Sequence, residues 1–178
     1  MPKAIKIYVR YIDAANKAVG KFSMYLVFAM MGILLFETIL RTIFNRPHIW
    51  VVEMAQFFMA AYYLLGGGYS MILDGHVRMD LLYGRWSARR QALADVLTAP
   101  LLIFYLVFLI IGAWSAIKYA VTYGQVNYTP WGPPLAPIKI AMGIGIVLML
   151  LQVIAIFFRD LAKAMGKDIE EVKGETLT

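Results

Sequence analysis

Val96-Leu-Thr-Ala-Pro-Leu-Leu-Ile-Phe-Tyr-Leu-Val-Phe-Leu-Ile-Ile-Gly-Ala-Trp-Ser-Ala-Ile117 contains no Asp, Glu, Lys, Arg or His. As a helix it would be about 33 Å long, enough to cross a hydrocarbon core about 30 Å thick. Met54–Leu73 and Ile140–Phe158 are equally free of charge. Phe22–Phe36 is shorter and reaches spanning length by continuing through Glu37 and Arg41 to about Phe44. Four such stretches predict an all-α integral membrane protein with four transmembrane helices, at about residues 22–44, 49–73, 92–123 and 136–158. Composition agrees, at 61% hydrophobic and 16% charged, where soluble domains carry roughly half and a quarter.

Charge outside the spans sets the orientation. Of the 17 Lys and Arg residues, five precede the first span (Lys3, Lys6, Arg10, Lys17, Lys21), four separate the second from the third (Arg78, Arg85, Arg89, Arg90) and four follow the fourth (Arg159, Lys163, Lys167, Lys173). Arg41, Arg46, Lys118 and Lys139 fall to the other side. Positive charge stays in the cytoplasm, so both termini are expected there. Within residues 1–21, Ile5, Tyr8, Val9, Ile12 and Val19 share one arc at the helical period, and Lys3, Lys6, Arg10, Asp13, Lys17 and Lys21 the opposite one. This predicts an amphipathic helix lying in the cytoplasmic interface and drawn to acidic lipid, which accounts for the net charge of +6 without nucleic acid. A basic start before an apolar run also suits a secretory leader. No small-x-small cleavage pattern follows, and the segment is read as retained.

Further along, Leu81–Trp86 mixes apolar and basic residues as a second interfacial segment would, and Ser87 can cap the third helix. From Ala88 to Tyr123 that helix would be about 54 Å long, so it is expected to tilt or project, with a kink at Pro100. The loop Gly124–Pro134 is uncharged and stiffened by Pro130, Pro133 and Pro134; residues 159–178 read as a cytoplasmic tail.

Few residues offer chemistry. There is no cysteine, hence no disulfide, thiolate metal site or thiol redox couple. Glu37 and Arg41 stand one helical turn apart, and Glu53, one turn into the second span, reaches a similar depth. The three are expected to form a structural charge network in the outer third of the membrane, because an unpaired charge there costs a few kcal/mol. Coupling to a transported ion, or snorkelling to the surface, are the other readings of the trio. His48 and His76 lie outside the spans and do not suit a bis-histidine haem, and no metal-ligand spacing, nucleophile elbow or phosphate loop is present. The chain is therefore not expected to be an enzyme or to hold a cofactor or metal. Gly66, Gly67 and Gly68 in span two, Gly112 in span three, and Gly143 with Gly145 in span four could bring helices close, within the chain or against another protein. Trp50, Trp86 and Trp131 read as interfacial anchors.

Several motifs resemble one family. They are Trp50-Val51-Val52-Glu53 opening span two, Gly75-His76-Val77-Arg78-Met79-Asp80 after it, Ser87-Ala88-Arg89-Arg90 leading to Asp95, Trp131-Gly132-Pro133-Pro134 with Pro137-Ile138-Lys139, and Leu151-Gln152. Together they make the chain similar to the small, DctQ-type membrane subunit of the tripartite ATP-independent periplasmic (TRAP) transporters, over residues 20 to 160. Met79 stands where that family often has valine. The resemblance implies a bacterial inner-membrane protein whose partners are a large polytopic membrane subunit and a periplasmic substrate-binding protein. It also implies uptake of organic acids on a sodium gradient coupled through the large subunit, with this chain as a brace. The residues alone leave another reading open, a free-standing four-helix exporter exchanging protons for small molecules at Glu37. Arg41, one turn away, and the long inter-span segments speak against it.

Overall fold

Long apolar stretches with few helix breakers give long helices, and the breakers that do occur mark their ends. The computed structural model describes residues 3–45, 47–73 and 88–164. Within them lie α1 (Lys3–Phe44), α2 (Trp50–Ile72), α3 (Ala88–Thr122) and α4 (Ala136–Ala164), with no strand among the described residues. Asn45 stops α1 with φ 52° and Gly124 follows α3 with φ 58°, both in the left-handed region that commonly terminates helices. Pro137 sits in the first turn of α4, where a missing N–H costs nothing. Helix α3 runs unbroken through Pro100.

Two expectations are corrected. Residues 3–21 do not form a separate helix, because α1 continues without a break across residue 21. Its buried stripe there is Val9, Asp13, Asn16, Gly20 and Ser23, spaced four and three residues apart. A stripe of that period presses one helix face onto its neighbours, and small and polar side chains serve at helix contacts in lipid. The second correction concerns number: among the described residues three helices, not four, are long and apolar enough to cross a membrane, within Ile5–Phe44, Ala94–Thr122 and Ala136–Ala162. At 23 residues α2 has the length, but Glu53, Gln56, Tyr62, Tyr63, three glycines and Ser70 dilute its apolar character.

Packing centres on α4, which lies against all three other helices, while α1 and α2 pack along each other and α3 packs chiefly on α4. Asn16 meets Gly68, and His48, just ahead of α2, meets Glu37, so α1 and α2 are antiparallel. Gly145 meets Leu64 and Gly67 meets Met149, so α2 and α4 run the same way. Gly143 meets Ile117 beside the α3–α4 loop. The loops 45–49 and 123–135 therefore share one end of the bundle. Met71, Leu106, Ala113, Ile146 and Val153 form the small apolar core. Many large side chains point outward instead, including Phe22, Phe28, Leu35 and Phe36 on α1 and Leu97, Leu101, Phe104, Phe108, Ile111 and Trp114 on α3. Exposed apolar faces of this extent suit lipid or a membrane partner.

Candidate functional site

At the loop end, Glu37 is held by His48. The His48 backbone N–H donates to Oε1 at 3.1 Å, and its Nδ1 lies 3.2 Å from Oε2. Trp50 meets the imidazole edge-on, ring centres 6.1 Å apart. Glu53 is buried, with Oε2 unpartnered. Arg41 is exposed and makes no ion pair with either acid among the described residues. The expected trio of Glu37, Arg41 and Glu53 is thus replaced by a Glu37–His48 pair. Helix α1 overshoots by two turns beyond Glu37, carrying Arg41 outward, and the turn at Asn45 brings the chain back to set His48 beside Glu37.

The glycines divide sharply. A Cβ at Gly145 would strike the Leu64 backbone, and one at Gly68 would strike the Asn16 amide. At Gly67 it would meet the Met149 Sδ at 2.8 Å, and at Gly143 the Ile117 Cδ1 at 2.7 Å, both ends of flexible side chains. Gly66 and Gly112 face open space. Successive helical residues rotate by about 100°, so three glycines in a row cannot all touch one neighbour.

The loop before α4 is a small pinned structure. Val126 and Pro134 form an isolated bridge, with Asn127 N–H donating to the Pro133 carbonyl and Leu135 N–H to the Gln125 carbonyl, each at 2.9 Å. Lys139 Nζ donates to Gln125 Oε1 at 2.6 Å. Gly132 takes φ 60°, Pro133 is buried, and Trp131 and Pro134 are exposed. The motif residues His76, Val77, Arg78 and Asp80, the segment Leu81–Trp86, Ser87 and the tail from residue 165 lie outside the described residues.

The most extensive polar assembly was not anticipated. Asp13 and Asn16 of α1 join Gln152 and Arg159 of α4: Arg159 Nη2 donates to Asp13 Oδ2, Gln152 Nε2 to Asp13 Oδ1 at 2.9 Å, and Asn16 Nδ2 to Gln152 Oε1 at 2.8 Å. Asn16 Nδ2 also approaches the Leu148 carbonyl at 3.5 Å, and the Tyr8 hydroxyl donates to the Leu151 carbonyl at 3.3 Å. Asp13, Asn16 and Gln152 are buried. A signal was available in Gln152, the only amide in the charge-free run Ile140–Phe158. A lone amide in an apolar span requires a partner, because an unmade hydrogen bond in lipid is costly.

Three helices able to cross a membrane, tight glycine contacts and a buried polar junction define a multi-pass helical membrane protein whose internal polar groups hold helices together. Residues 30–163 match the family model described as tripartite ATP-independent periplasmic transporters, DctQ component, and the chain belongs to that family. A search of curated proteins gave no match. The DctQ component is the small membrane component of these transporters and resides in the inner membrane, so this chain is a transport component located there.

Proposed function

We propose that this chain braces the large membrane subunit of a TRAP transporter that imports organic acids delivered by a periplasmic binding protein and driven by a sodium gradient. The observation that carries this reading is the family match over residues 30–163. The engagement of the acid that the exporter reading would use supports it. Both oxygens of Asp13 are taken up by Arg159 and Gln152, and Glu37 is taken up by His48. Glu37 is therefore not the unengaged acid that a proton-coupled exporter needs. Reconstituted alone in liposomes, the chain is expected to move neither organic acids nor drug cations under any ion gradient. With the large subunit and binding protein it should support sodium-dependent uptake, which its omission abolishes. Gradient-driven transport by the chain alone would overturn the bracing role.

The same proposal includes both termini in the cytoplasm. Helix α2 runs antiparallel to α1 through the contacts at Gly20–Tyr69, Asn16–Gly68 and Glu37–His48, and placing both termini on one side requires α2 to cross beside α1 although it falls short of the apolar measure that the other three helices meet. Partnered by α1 and α4, α2 can carry its glycines and tyrosines at depth. Tyr128→Cys, at a position 97% exposed in the loop, should label with an impermeant thiol reagent in intact spheroplasts. Thr176→Cys should label only after lysis. The reverse pattern would invert the orientation.

A further inference from the structure

The polar junction has a direction that its donors and acceptors impose. A guanidinium only donates and an ionised carboxylate only accepts, so Asp13 receives hydrogen bonds at both oxygens, from Arg159 and from Gln152. With its amide nitrogen committed to Asp13, Gln152 can offer Asn16 only Oε1, and Asn16 answers with Nδ2 at 2.8 Å. Asn16 Oδ1 is then the end of the chain. It is fully buried and has no N–H or O–H donor. It lies against Gly68 of α2, where an added Cβ would overlap it. In glycine a hydrogen takes the place of that Cβ, so a Cα–H bond is directed toward the side of the orphan oxygen. Such Cα–H···O contacts recur where helices approach closely.

We propose that the Asp13 charge directs a one-way polar lock through Gln152 and Asn16 that closes on the Cα–H of Gly68, fixing the N-terminal half of α1 to both α4 and α2. Only glycine fits at position 68 while asparagine stands at 16. Because orientation passes along the chain, Asp13 governs a contact it does not touch. The lock also accounts for the stripe Val9, Asp13, Asn16, Gly20 and Ser23 facing inward while Lys6, Arg10 and Lys21 remain exposed.

The chain lacks cysteine, which makes cross-linking a clean test. Asn16 Cγ lies 3.0 Å from a Cβ built at Gly68; an S–S bond of about 2.05 Å leaves about 3 Å between a sulfur and the far Cβ. Asn16→Cys with Gly68→Cys, in full-length chain in native membranes, should form an intramolecular disulfide nearly completely under mild oxidant. Asn16→Cys with Gly66→Cys should not, since Gly66 faces open space. Failure of the first pair, or equal reaction of the second, overturns the contact. In purified chain, Gly68→Ala should cut the yield of monodisperse protein at least fivefold, and adding Asn16→Gly should recover most of it. The Tm losses of Asp13→Asn and Asn16→Ala should combine to less than their sum, and become additive once Gln152→Leu removes the link. Additivity with Gln152 present, or coupling that survives its removal, overturns the directed chain.

Discussion

Gly145→Ala is expected to destabilise the protein far more than the same change at Gly66 or Gly67. A Cβ at 145 would lie 2.8 Å from the Leu64 carbonyl carbon and 3.5 Å from its Cα. Backbone cannot rotate aside as a side chain does, so α2 and α4 must move apart along their whole contact. Overpacking costs about 1–3 kcal/mol and more where backbone must shift, and separation also loses the close packing that drives helix association in lipid. At Gly67 the obstacle is the Met149 thioether, which can adopt another rotamer. At Gly66 nothing is displaced, so the effect should stay within about 0.5 kcal/mol. Thermal unfolding of the purified chain in detergent ranks the three, and co-purification of the large subunit shows whether assembly follows the same order. Equal shifts at 145 and 66 would mean that α2 and α4 do not approach at Leu64.

The helices were legible in the sequence because their ends depend on local chemistry. Asn45 with Pro47 ahead of α2, Gly124 after α3 and the prolines before α4 all act within a few residues, and the helices of the structure end or begin beside them. Partner choice was less legible. The arc of Ile5, Tyr8 and Ile12 reads as the sticky face of α1 by the measure of a water-soluble helix. In the structure Val9 of that arc is buried and Tyr8 reaches the Leu151 carbonyl, but the most deeply placed positions also include small and polar residues that the arc did not contain, Asp13, Asn16, Gly20 and Ser23. The run Gly66–Gly68 announced close packing without saying which two of its three positions would meet a neighbour. Relative depth along a straight helix suggested that Arg41 would meet two acids, yet the route of the chain past Phe44 decided which group reached Glu37.

Asp13→Ala is expected to have the other large effect, lowering stability by about 3–5 kcal/mol, the range for removing one partner of a buried ion pair. Two groups lose their acceptor at once: the Arg159 guanidinium and the Gln152 amide, the latter inside the α1–α4 contact. The Arg159 side chain keeps 24% of its surface exposed, so it can partly rehydrate, which favours the lower half of that range. Gln152 is fully buried and has no such relief. Asp13→Ala with Arg159→Met should therefore be milder than Asp13→Ala alone, because the double change leaves no charge stranded while the methionine fills space. Lys21→Ala, on the exposed side of the same helix, serves as the control and should leave Tm nearly unchanged. Since α4 contacts every other helix, loosening α1 from it should also reduce recovery of the large subunit in mild detergent. A Tm for Asp13→Ala equal to that of the Lys21→Ala control would show that the pair contributes nothing to holding α1 in the bundle.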